Sequence, residues 1–150
     1  MATTYTALLF TRGVYYWVNA GDSRLYGYSE DALRQLNRDH TLREERGDPS
    51  IPGNIITNCY GTAEGFYLDV GTVEPEWADI FLLCSDGLSD YADMDRAEAV
   101  LRRTLRDTGA VDTAAIASRL EDAAGELLQL ALSGGGGDNV TAVIVRPVYA

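Results

Sequence analysis

Three acids stand where apolar runs end: Asp86 in Phe81-Leu82-Leu83-Cys84-Ser85-Asp86-Gly87-Leu88, Asp138 in Gly137-Asp138-Asn139-Val140-Thr141, and Asp22 in Val18-Asn19-Ala20-Gly21-Asp22-Ser23-Arg24. A carboxylate that closes a buried strand beside glycine is held in place by the strand, while its oxygens stay open to a hard cation. Asp86 and Asp138 could therefore share one divalent ion, with Asp22 repeating the placement. Taken singly, each is as well explained as a turn residue, because Asp, Asn and Gly punctuate strand ends. The repetition at three strand ends points to metal chemistry.

Other chemistries find less support. The glycine run at 134–137 invites a phosphate-loop reading, but the Lys and Ser/Thr of such a loop are absent and a helical pattern precedes the run. The glycines are better suited to ending that helix and letting the backbone pass close to the site where Asp138 is presented. The lone His40, in Arg38-Asp39-His40-Thr41, has no identifiable nucleophile and is expected to be an exposed loop residue, so a catalytic triad is not indicated. The acids also lack the alternating spacing of a calcium loop. Cys59 and Cys84 sit in apolar settings without zinc or disulfide spacing and are expected to pack.

The elements that must position these acids can be read along the chain. Tyr5–Thr11 and Val14–Val18 are rich in β-branched and aromatic residues, and Arg12-Gly13 between them predicts a tight hairpin. Leu25–Tyr28 continues as a third strand, Ser29–Asp31 turns, and Leu33–Leu36 returns, giving an opening antiparallel meander. The polar stretch Thr41–Asn54 is the longest candidate for a mobile loop, and Asn54–Tyr60 resumes the sheet. Ile80–Cys84 is a continuous apolar run, as a central strand buried on both faces requires. Asp95 with Glu98 reads as a capping box for a helix carrying Val100, Leu101, Thr104 and Leu105 as far as Gly109. Asp112 caps a second helix, whose stripe is Ile116, Leu120, Ala123, Ala124, Leu127 and Ala131, and Val140–Val145 is a closing strand. Strands, two helices and a last strand indicate an α+β fold, helices laid on one face of antiparallel sheet.

At 150 residues the chain has the length of one domain, 1–150. Its 46% hydrophobic and 23% charged residues are ordinary for a soluble protein. No apolar run approaches a membrane span, and Met1–Tyr5 has no signal-peptide character, so a cytoplasmic protein without membrane association is expected. With 23 acids against 12 Lys and Arg, the net charge of -11 repels nucleic acid, and no basic stripe offsets it. Acids gathered around a divalent cation would contribute to that excess.

Four segments in order, Asn19–Arg24, Leu36–Thr41, Leu82–Leu88 and Gly137–Thr141, resemble successive motifs of the metal-dependent protein phosphatases of the PPM type, also called protein phosphatase 2C. The resemblance spans nearly the whole chain and implies part of an α-β-β-α sandwich. It implies two Mn²⁺ or Mg²⁺ ions and a metal-activated water that hydrolyses phosphoserine or phosphothreonine. By that resemblance Asp86 and Asp138 would be metal ligands, Asp22 with Asp86 would hold a third, weaker ion, and Ser85, Gly87 and Asn139 would support the site.

The family also carries an early phosphate-binding Arg, a Glu-Asp pair, an Asp-Gly segment with the bridging carboxylate and a proposed general-acid His. All lie before the part that resembles Ala2–Thr4, and none has a match in this sequence. A truncated phosphatase-like domain of weak activity on its own is therefore expected. The alternative is a non-catalytic pseudophosphatase that binds a protein partner, self-associates or docks a missing N-terminal segment through exposed sheet edge and apolar surface.

Overall fold

A computed structural model describes residues 1–63, 65–106 and 112–147 of the chain. The order is β1 (Tyr5–Leu9), β2 (Tyr15–Ala20), β3 (Arg24–Ser29), β4 (Ala32–Gln35), α1 (Leu42–Arg46), β5 (Asp69–Val73), a 3₁₀ turn (Pro75–Trp77), β6 (Ile80–Cys84), α2 (Asp86–Ser89), α3 (Met94–Arg106), α4 (Thr113–Ser133) and β7 (Ala142–Val145). The strands form two sheets, β1-β2-β5 and β4-β3-β6-β7, so the α+β reading stands. These residues group into two compact units, Met1–Leu25 with Gln35–Trp77 and Tyr26–Arg34 with Ala78–Ala150.

In the first unit β2 is central. It pairs antiparallel with β1 from Tyr5↔Ala20 to Leu9↔Tyr16 and with β5 from Tyr15↔Val73 to Asn19↔Asp69. The expected opening meander is thereby corrected: β3 belongs to the other sheet, because β5, nearly fifty residues further along, takes the second edge of β2. Hydrophobic alternation marks strands but carries no information on which edges meet. The stretch Thr41–Asn54 is also more ordered than a loop. The Thr41 side chain accepts the Glu44 N–H, α1 follows, and Gly47 ends it in the left-handed conformation at φ 60°. Asn54–Tyr60 forms no strand and is held instead by isolated bridges, Thr41↔Ile56 and Thr3↔Tyr60.

The second unit carries the two long helices against its sheet. Ile80, Leu82 and Cys84 of β6 join Tyr26, Leu101, Ala123, Leu127 and Ala131 in one buried core. Phe81, on the opposite face of β6, is also fully buried, as expected for a central strand. Asp112 caps α4 by accepting the Ala114 N–H, and the buried stripe is Ala123, Leu127 and Ala131. The cap of α3 is Asp93 and not Asp95: Asp93 Oδ1 accepts the N–H groups of Asp95 and Arg96 at 3.0 and 3.2 Å. A cap must precede the first helical residue, here Met94, and Glu98 is turned to another use, accepting the Leu33 N–H of β4 at 3.1 Å. The expected end of this helix near Gly109 lies outside the described residues. No described helix is long and apolar enough to cross a membrane.

Candidate metal site at the adjoining ends of β6 and β7

The end of β6 meets the start of β7, with Cys84 opposite Ala142. Asp86 follows one and Asp138 precedes the other, so the pairing brings both acids to one end of the sheet. Ser85 ties the two segments together. Its N–H donates to the Thr141 carbonyl at 3.1 Å, its hydroxyl donates to the Asn139 carbonyl at 3.1 Å and accepts the Thr141 N–H at 3.0 Å. On the other side of Asp86, Gly87 approaches Asn139 so closely that a Cβ would overlap the Asn139 carbonyl oxygen. Both chain neighbours of Asp86 thus touch the residue beside Asp138.

The carboxylates are oriented by their own backbone. Asp86 is the first residue of α2 and its Oδ1 accepts the Gly87 N–H at 2.8 Å, while Asp138 Oδ1 accepts the Asn139 N–H at 2.6 Å. A carboxylate has about four lone-pair positions, so one such bond orients it without exhausting it. Asp86 is half-buried and Asp138 exposed. The glycine run behaves as its position suggests: Gly134 closes α4 by donating to the Leu130 and Ala131 carbonyls, packed so tightly on the Tyr91 carbonyl that no side chain fits.

Hard oxygen donors of this kind suit Mg²⁺ or Mn²⁺. Among the described residues no group of three or more His, Cys, Asp or Glu side chains is placed to hold a metal. Asp86 and Asp138 by themselves do not make up such a group. Asp22 lies in the other compact unit, 7% exposed in the turn after β2.

His40 departs from expectation. It is buried, not an exposed loop residue, and its ring contacts Gly21, Asn58, Asp69 and Tyr67. Nothing in the sequence around it signals these partners, which come from three separate segments.

No family model matches the chain. The serine/threonine phosphatase Stp of Listeria innocua is 30% identical over 158 residues, covering 97% of this chain and 57% of the relative. PstP of Mycobacterium tuberculosis is 33% identical over 157 residues, covering 99% of this chain and 28% of the relative. Among solved structures, PppA of Pseudomonas aeruginosa superimposes with a TM-score of 0.77 at 31% identity over 97% of this chain and 58% of that one. The relatives and structural neighbours of the chain are bacterial serine/threonine phosphatases of the PPM family. The structure of PstP from M. tuberculosis agrees, with a TM-score of 0.76 at 30% identity over 96% of the chain. The PPM match covers less than two thirds of these relatives, so the chain corresponds to part of the phosphatase domain.

Proposed function

We propose that this chain contributes the Asp86 and Asp138 ligands of a divalent-metal centre that hydrolyses phosphoserine and phosphothreonine in proteins, and that Asp22 is a ligand of a further, weaker divalent ion. The observation that carries the proposal is the Ser85 and Gly87 junction with Asn139, which sets two acids at one sheet end in a chain homologous to phosphatases. Mn²⁺ or Mg²⁺ bound there would supply a Lewis acid that activates water and offsets phosphoryl charge. Asp86 and Asp138 provide anionic oxygens, and Ser85, Gly87 and Asn139 keep their separation constant. With few ligands the chain alone holds metal weakly and positions the reacting groups poorly, so its turnover is low. Hydrolysis of p-nitrophenyl phosphate with millimolar-range Mn²⁺ tests this. Slow, chelator-sensitive turnover lost in Asp86→Asn is expected; turnover indifferent to chelator and to Asp86→Asn would sink the proposal.

A second reading, a partner-binding role, has its own support. By the strand register, Tyr5, Leu9, Tyr16 and Val70 share one face of the β1-β2-β5 sheet, and they are 52%, 62%, 42% and 65% exposed. An apolar sheet face calls for a covering layer. The occupant proposed is the remainder of a PPM domain supplied by a cytoplasmic partner segment, because the Listeria relative has residues beyond the 57% that this chain matches. Sedimentation of the chain mixed with that unmatched portion of the Listeria protein is expected to show a one-to-one complex. Self-association alone, or no complex, counts against it.

A further inference from the structure

The only histidine of the chain is 4% exposed, and its hydrogen bonds define its tautomer. The Asn58 amide is oriented first. Its Oδ1 accepts the Tyr67 N–H at 3.1 Å and its Nδ2 donates to the Tyr67 carbonyl at 2.9 Å. The remaining Asn58 N–H therefore points at His40 Nδ1, 2.7 Å away, and the Gly21 N–H reaches the same nitrogen at 3.2 Å. Facing two donors, Nδ1 must be the acceptor, so the proton of the neutral ring is on Nε2, which donates to Asp69 Oδ2 at 2.9 Å. The His40 backbone N–H donates to the Gly21 carbonyl at 3.0 Å, and Asn19 Nδ2 donates to the same oxygen at 3.0 Å. Gly21 is thus held through its N–H in the peptide before it and through its carbonyl in the peptide that leads into Asp22.

We propose that His40, set in one tautomer by Asn58 and Gly21 and steadied by Asp69, is a positioning residue for Asp22, holding the Gly21 turn so that the Asp22 carboxylate is presented to a divalent cation. The proposal rests on the reading of Asp22 as a metal ligand. His40 touches neither substrate nor metal; it acts through Gly21, as outer hydrogen bonds orient ligands in metal sites generally.

A single imidazole makes the test direct. Long-range ¹H–¹⁵N spectra of the full chain are expected to show the Nε2–H tautomer, with signals that move on titration with millimolar-range Mg²⁺. Asp69→Ala, at a side chain 42% exposed and so tolerant of change, is expected to keep the Nε2–H tautomer, because Asn58 and Gly21 still face Nδ1, but to loosen the ring and raise the Mg²⁺ midpoint about tenfold. Asp22→Asn is expected to abolish the Mg²⁺ response while keeping the tautomer. An Nδ1–H ring, or an Asp69→Ala midpoint equal to that of the unaltered chain, overturns the positioning role. Absence of any Mg²⁺ response, or its persistence in Asp22→Asn, overturns the Asp22 assignment instead and the proposal with it.

Discussion

Gly87 rests directly on the Asn139 carbonyl, with no room for a side chain between them. This contact, more than the type of either acid, sets Asp86 and Asp138 at a common sheet end. Gly87→Ala must push the 137–141 segment away or distort α2. A loss of about 1–3 kcal/mol is expected, as for other overpacked positions, read from urea unfolding midpoints. Divalent-metal affinity is expected to fall in the same variant.

Asp138 is exposed, and its structural bond is one short contact to the next backbone N–H. Asp138→Asn keeps the acceptor and should change stability by less than about 0.5 kcal/mol. Mn²⁺ binding measured by calorimetry should nevertheless drop to background. Unchanged Mn²⁺ binding would remove Asp138 from the site.

Two arginine–carboxylate pairs differ in what they contribute. Arg24 holds Asp39 through Nε and a terminal nitrogen at 2.9 and 2.7 Å, Gln35 adds a bond at 2.8 Å, and the Asp39 side chain is 9% exposed. Arg103 and Glu126 are 58% and 53% exposed. Asp39→Ala is expected to cost about 3 kcal/mol by breaking a buried pair, and Glu126→Ala less than about 1 kcal/mol. Thermal or chemical unfolding of the two variants side by side checks the contrast.

Tyr28 gives the fold an alkaline limit. Its phenol pKa is raised above the ordinary 10.0, mainly by burial and further by the hydrogen bond its hydroxyl donates to Asp31. The native state therefore keeps the proton longer than the unfolded chain. The associated stability is complete below about pH 10 and is lost as pH climbs through the raised native value. Urea midpoints should fall across that window, and Tyr28→Phe should flatten the fall.

Much of this was legible in the residues. The continuous apolar run of β6 announced a central strand, and the Asp112 cap and its stripe announced α4. Less legible were β5, whose Asp69 and Gly71 weaken any strand signal, and α2, too short for helical periodicity to register. The true α3 cap was obscured by a second aspartate two residues on.

Local pattern, by itself, determined which segments could be strands or helices and which side chains could bind a hard cation, because period, capping and donor type are properties of near neighbours. Tertiary structure alone decided which strand edges meet, that Asn139 lies against Gly87, and that His40 is buried among Gly21, Asn58 and Asp69. Those relationships join residues far apart in the chain. They are selected by which pairing buries the core and satisfies the backbone together, a condition no short window of sequence contains.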